Sequence, residues 1–255
     1  MINNEFEIID MHAHLGSYAL FPFRNNTPKK IAEEAKSYGI KKMCVSNLFA
    51  CTYDVKEGNL LTLNGVKEVP SFFLFGGLLD PHLNEGEIET EFLNIDPEVS
   101  MWNELHPALH KYPISGNGYK IIMDLIKTNP KPVLFHTDEG DQYSQPEQIE
   151  ELAKLYSEIP FIIGHSGNII GGYEIAVGLA KKYDNIFLDS TFSRNYLGLL
   201  KWMIEKVGAE KITFGTDMPF INGATQIGKI YEAGITDNDR QKIFHDNAIK
   251  LLKIE

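Results

Sequence analysis

Cysteine is almost absent: the 255-residue chain has two, Cys44 and Cys51. They are too few for a disulfide framework and lack zinc-finger spacing, so both are expected to be free thiols, as in a reducing cytoplasm. Long apolar runs are missing too, and no stretch suits a bilayer span. The first nine residues lack a basic segment followed by an apolar stretch and a small-residue cleavage site, so no secretory signal is expected and the expected location is cytoplasmic. Positive charge is scarce: 24 Lys and Arg against 35 Asp and Glu leave a formal net charge of -11. That balance disfavours nucleic acid and anionic membrane as partners, although a local metal site can still attract an anion. Linkers and low-complexity tracts are also lacking, so residues 1–255 are expected to form a single domain.

Hydrophobic residues make up 43% and charged residues 23%, the proportions of an ordered globular chain. Short apolar runs alternate with amphipathic stretches. Strands are expected at Phe6–Met11, Ile40–Asn47, Ser71–Leu79, Val99–Leu105, Pro132–His136, Pro160–Gly164, Asn185–Leu188 and Lys211–Phe214. Helices are expected at Pro28–Tyr38, closed by Gly39, and at Asn59–Val69, Glu85–Leu93, Tyr119–Lys127, Pro146–Ser157, Tyr173–Tyr183 and Tyr196–Val207. Asn103 and Glu104 interrupt the fourth strand. The units repeat at roughly thirty residues, the size of a strand plus its returning helix, and continuous apolar strands suit a parallel sheet covered on both faces. Eight such units in a chain near the usual barrel length of about 250 residues predict an α/β fold, a TIM-like (β/α)8 barrel. Thr236–Ile254 reads as a capped C-terminal helix packed outside it. The loop Tyr18–Pro28, the insert Cys51–Val69 and the segment Asp138–Gln145 are expected to shape the pocket.

Active sites of such barrels lie at the C-terminal ends of the strands. The residues expected there are His12 and His14 after the first strand, Glu104 and His106 at the fourth, His136 at the fifth, His165 at the sixth, Asp189 at the seventh and Asp217 at the eighth. Alternate residues of a strand project to one side, so His12 and His14 can reach one point. Imidazole and carboxylate donors suit zinc or a similar divalent ion, and the lack of paired cysteines favours a catalytic over a structural site. Plainer readings exist: Asp217 fits a helix N-cap ahead of Pro219, Gly164 and Gly167 fit a tight turn around His165, and Asp189 fits a structural hydrogen-bond acceptor.

Taken together, Ile9-Asp10-Met11-His12-Ala13-His14, Leu105-His106-Pro107, Leu134-Phe135-His136-Thr137, Ile163-Gly164-His165-Ser166-Gly167 and Phe214-Gly215-Thr216-Asp217-Met218-Pro219 resemble the amidohydrolase superfamily. The likeness is to its amidohydrolase-related, metal-dependent barrel branch of decarboxylases and lactonases, and Asn247-Ala248 resembles part of that branch's closing helix. The resemblance implies that His12, His14, His136 and Asp217 are metal ligands and that His165 is a second-metal ligand or a catalytic histidine. Many relatives carry a carboxylatable lysine where this chain has Glu104. A glutamate there resembles the bridging carboxylate of TatD-type barrels, so a two-metal site stays open; in mononuclear relatives the position binds no metal. The implied cofactor is a divalent metal, zinc first, as one ion or two, and the implied assembly is a homodimer.

The chemistry implied is hydrolysis of a small-molecule amide, lactone or ester by an activated water, with Asp217 as general base then acid and His165 on the oxyanion. Asp189 or Asp10 would accept from a ligand histidine, Asp10 being the poorer choice because alternation points it inward and low on the barrel. His106, Arg194 and Trp102 are candidate substrate contacts. The competing readings are non-oxidative decarboxylation of an aromatic or unsaturated acid, a TatD-like phosphodiesterase or nuclease supported by Glu104 and opposed by the charge, and a non-catalytic binding barrel.

Overall fold

Eight strands pair in sequence order, all parallel. The fold is a computed structural model that describes residues 5–18, 21, 26–192, 194 and 196–254. The chain runs β1 (Ile8–Leu15), α1 (Pro28–Ser37), β2 (Ile40–Asn47), α2 (Phe49–Thr52), α3 (Val55–Glu68), β3 (Phe73–Gly77), α4 (Glu85–Ile95), β4 (Met101–Leu105), α5 (Pro107–His110) and α6 (Asn117–Ile126). It continues with β5 (Val133–His136), α7 (Ile149–Leu155), β6 (Phe161–Gly164), α8 (Ile170–Lys182), β7 (Ile186–Asp189), α9 (Leu199–Val207), β8 (Ile212–Thr213), α10 (Gly223–Glu232), α11 (Asp237–Gln241) and α12 (Asn247–Leu252). Backbone bonds join the last strand's exit to the first: Met11 N–H donates to the Phe214 carbonyl at 2.9 Å, and Asp217 N–H to the His12 carbonyl at 2.7 Å. The result is a TIM barrel, as the eight apolar runs predict.

Strand alternation divides the core in two. Val45, Phe75, Trp102, Phe135, Ile163 and Leu188 face outward and pack in one cluster with helix residues such as Ile31, Phe92, Ile122, Leu152 and Met203. Ile9, Met11, Cys44, Met101, Leu134 and Ile162 come from five different strands and meet each other, which places them on the barrel axis. Ala248, Leu251 and Leu252 of α12 join this inner cluster, so the C-terminal helix lies outside the strands and seals one end of the cylinder. Each fully buried Ile or Leu in these layers contributes about 1.5–3 kcal/mol relative to exposure in water.

Local signals explain most boundaries. Gly39 takes φ +89° and ends α1, as its position predicts. Asp54 caps α3 by accepting from Glu57 N–H, so that helix begins four residues before the stretch expected from Asn59. Thr236 and Asp239 form a capping box, but the helix they open passes through a π-helical turn at Lys242–Asp246 before α12. Of the expected loop Tyr18–Pro28, residues 19, 20 and 22–25 lie outside the described residues.

Candidate active site

Glu104 is the hub of a ring of imidazoles at the C-terminal ends of the strands. Its Oε1 lies 3.4 Å from His12 Nε2, 3.0 Å from His136 Nδ1 and 3.5 Å from His165 Nε2, and its Oε2 lies 3.8 Å from His14 Nε2. His14 Nε2 also faces Asp217 Oδ1 at 3.2 Å. The register of β4 slips between Trp102 and Leu105, and such irregularities re-aim side chains. Glu104 therefore faces the axis while Trp102 and Leu105 face the helices.

Partners outside the ring orient three of the four histidines around Glu104. His12 Nδ1 meets Asp189 Oδ2 at 2.8 Å, His14 Nδ1 meets Ser46 Oγ at 3.2 Å, and His165 Nδ1 donates to the Thr191 carbonyl at 2.9 Å. This is how metal-ligating histidines are usually held, with the second ring nitrogen anchored and Nε2 presented inward. Asp189 also accepts from His165 N–H at 3.0 Å and from Thr191 N–H and Oγ1–H. Asp10 accepts from His12 N–H and from Thr216 N–H, bracing the backbone of the first and last strands, and touches no ring nitrogen.

The electrostatics favour a cation. Burial depresses the His12 imidazole, but Glu104 and Asp189 outweigh it and hold His12 well above its ordinary value. Burial raises Glu104, but His12, His136 and His106 bring it well below the carboxylate range. Burial pushes Asp10 up to about 7 against its hydrogen bonds from Thr216 and His12. His106 is pulled well down by burial and by the neighbouring His136, on which its ring stacks at 3.8 Å and 12°.

Three groups of donor atoms are close enough to share an ion: His12, His14 and Asp217; His12, Glu104 and His165; and Glu104, His106 and His136. Within each group the donor atoms lie within 4.8 Å of one another. His12 Nε2 is buried and makes no hydrogen bond, with Glu104 Oε1 facing it at 3.4 Å. A buried orphan nitrogen costs free energy that a bound cation would recover, so the donors present fit a divalent metal. His136 groups with Glu104 and His106 rather than with His12, His14 and Asp217.

A cavity of about 160 Å³ opens onto the ring, with His14, Glu104, His106, His136, His165 and Asp217 at its wall. Tyr18, Phe21 and Phe220 form its more exposed side, and the Phe220 ring lies 5.0 Å from that of His14. The structure corrects one expected substrate contact. Trp102 is fully buried and stacks on Phe92 of α4 at 5.5 Å, because it alternates with the inward Met101 and so points to the helices. Arg194 is exposed, gives its carbonyl to the Tyr173 hydroxyl, and does not line this cavity. Three contributors do not stand out in the sequence as site residues: Ser46, Thr191 and Phe220. Ser46 leaves a signal, a polar residue two positions after the inward Cys44 of β2. Asp217 caps no helix; the N-cap of α10 is Asn222.

His165 and Asp217 take left-handed backbone, φ +55° and +59°, a conformation rare for non-glycine residues and concentrated at functional sites. Gly215 is required by close approach: a Cβ there would lie 2.3 Å from Thr191 Oγ1, 2.6 Å from His12 Cβ and 2.8 Å from Asp189 Oδ1. Gly215→Ala is therefore expected to cost about 1–3 kcal/mol in urea unfolding and to displace His12. An unchanged unfolding midpoint would show that the neighbours can give way.

Fold and site together define a barrel enzyme with a divalent-metal centre. An amidohydrolase family profile matches residues 9–254, and the chain belongs to that family. No curated protein matches the chain. Among solved structures it is similar to an uncharacterized TIM-barrel protein from Bordetella bronchiseptica, with 16% identity, 97% of this chain and 99% of that one covered, and a TM-score of 0.76. It is similar to a putative 2-pyrone-4,6-dicarboxylic acid hydrolase from Pseudomonas putida, with 16% identity, 99% of each chain and a TM-score of 0.74. A 5-carboxyvanillate decarboxylase from Novosphingobium aromaticivorans, solved with manganese, shares 10% identity over 98% of each chain at a TM-score of 0.71.

Proposed function

We propose that the chain is a metal-dependent hydrolase of a small-molecule amide, lactone or ester. The observation that carries this reading is the set of inward Nε2 atoms of His12, His14 and His165, each anchored through Nδ1, with the His12 atom buried and making no hydrogen bond. In this reading His12, His14 and Asp217 would hold one divalent ion, and Glu104 and His136 would be donors to a second. The donors suit zinc. Manganese is the competitor, since one structural neighbour holds it.

Bound there, a divalent ion would polarise a carbonyl and make a water a better nucleophile near neutral pH. The chain's own groups then have separate tasks. Asp217 takes the proton of the attacking water and returns it to the leaving group. His165, fixed by Thr191 and Asp189, presents Nε2 to the cavity, where it orients the nucleophile or meets the developing oxyanion. His106 and the aromatic side of Tyr18, Phe21 and Phe220 exclude water and hold the flat faces of the substrate.

Decarboxylation of an aromatic or unsaturated acid is the second reading, favoured by that aromatic side and by the decarboxylases among the structural neighbours. Two further expectations belong to the proposal: a homodimer, and a reducing cytoplasmic setting that suits the two buried free thiols. No helix among the described residues is long and apolar enough to cross a membrane. The test is elemental analysis of purified protein, followed by assays of the metal-loaded form for ester and lactone hydrolysis beside carbon dioxide release from carboxylated aromatics. Stoichiometric metal with hydrolysis supports the first reading, and carbon dioxide release alone supports the second. Protein that neither retains nor takes up a divalent ion would reject both.

A further inference from the structure

Lys229 of α10 is a buried amine that the proposed chemistry leaves without a task. It is 9% exposed, and its Nζ donates to the Phe192 carbonyl at 3.1 Å while standing 4.7 Å from the centroid of the Phe192 ring. The Gln226 amide, one turn earlier on α10, reaches the same carbonyl at 3.4 Å. Among the described residues, Asp189 of β7 is the charged group whose field reaches this amine. Lys201 of α9 and Glu232 of α10 line the small cavity beside it. An ammonium buried without a paired acid is costly, and an apolar side chain of similar length would pack the position more stably. A purely structural role therefore explains Lys229 poorly.

The held carbonyl is one residue from the site's supports. Thr191, which precedes Phe192, accepts from His165 Nδ1 through its own carbonyl and holds Asp189 Oδ1 through N–H and Oγ1–H. Asp189 Oδ2 in turn meets His12 Nδ1 and His165 N–H. We propose that Lys229 is a positioning residue: by holding the Phe192 carbonyl it restrains the Phe192 backbone next to the Thr191 carbonyl, and through it the orientation of His165 and Asp189. The inference rests on the histidine and carboxylate ring being the reacting site, as proposed above.

Burial brings the Lys229 amine down from 10.5 to about 7. The charge-assisted bond to Phe192 therefore weakens as pH rises through neutrality. The stability cost runs with a definite sign. It is full below about 7, where the folded chain must bury the charge, and it fades as pH rises toward the unfolded value of 10.5.

The test compares metal-loaded wild type with Lys229→Met and Gln226→Leu. Hydrogen exchange reads the amides of 190–192 and nitrogen NMR reads the His165 imidazole, neither needing a substrate. Hydrolysis of p-nitrophenyl acetate is the third readout. Lys229→Met is expected to raise Tm, more at about pH 6 than at about pH 9. The 190–192 amides are expected to exchange about tenfold faster, the scale set by loss of a charge-assisted hydrogen bond. The His165 signal shifts, and kcat falls about tenfold with KM unchanged, as for a group acting on the transition state.

Unchanged exchange and an unchanged His165 signal overturn the proposal whatever the turnover. If wild type itself has no esterase activity, the hydrolase reading fails while the exchange and NMR measurements still decide this one. If Lys229→Met does not fold, Gln226→Leu removes the second donor to the same carbonyl. A smaller change in the same direction then supports the proposal, and none overturns it.

Discussion

An Asp217→Asn protein folds, keeps its divalent ion and turns over about a hundred- to ten-thousand-fold more slowly, the span that general base catalysis supplies. The fold survives because Asn, like Asp, tolerates the left-handed backbone found at this position. The backbone bonds around it are also untouched: Asp217 N–H still reaches the His12 carbonyl, and the Asp217 carbonyl still accepts from Phe220 and Ile221. The amide keeps an oxygen beside His14 Nε2 for the cation, and it loses the ability to accept a proton. Metal content, unfolding midpoint and kcat, measured on one preparation, separate these roles. A kcat within about threefold of wild type, with metal retained, would remove Asp217 from the proton path. A silent enzyme without metal would make it a ligand first.

Much of this architecture is written in the chain because parallel strands buried on both faces are largely apolar, and nearly every such run here ends abruptly in a polar residue. Ile40–Asn47 is legible to the residue. Pro160–Gly164 is legible to within one residue, and His165 follows where the backbone turns. That the candidate residues cluster is legible for the same reason: imidazoles and carboxylates stand at strand exits, and a barrel brings all exits together. What was not legible depends on departures from period. β4 reads poorly because its register slips, and that slip puts Glu104 on the axis while the indole of Trp102 stays in the helix layer. α10 does not show in the sequence because Gly223 and Gly228 dilute its helical pattern, and α2 and α5, at four residues each, are too short to show one. Ser46 and Thr191 hold histidines through a hydroxyl and a backbone carbonyl, and a backbone carbonyl leaves no trace in residue type.

Removing His12 tests the centre of the ring more severely than removing any other group. His12 is fully buried between Glu104 and Asp189, both of which its charge helps to keep ionised. His12→Ala is expected to abolish metal binding at micromolar metal and, measured in chelator, to cost about 3–5 kcal/mol, because two buried carboxylates lose their shared partner. The loss should not be additive with a second change that removes one of those charges. Glu104→Gln alone strips His136 and His165 of a facing anion and is destabilising by itself; on the His12→Ala background it relieves an uncompensated charge. A coupling of about 1–3 kcal/mol between the two substitutions is the expected result of a double-mutant cycle in urea. Additivity within about 0.5 kcal/mol would mean that Glu104 and His12 do not share the electrostatic centre on which the metal assignment depends. The cycle needs no substrate and no metal, so it tests the cage as a physical object before any chemistry is assigned to it.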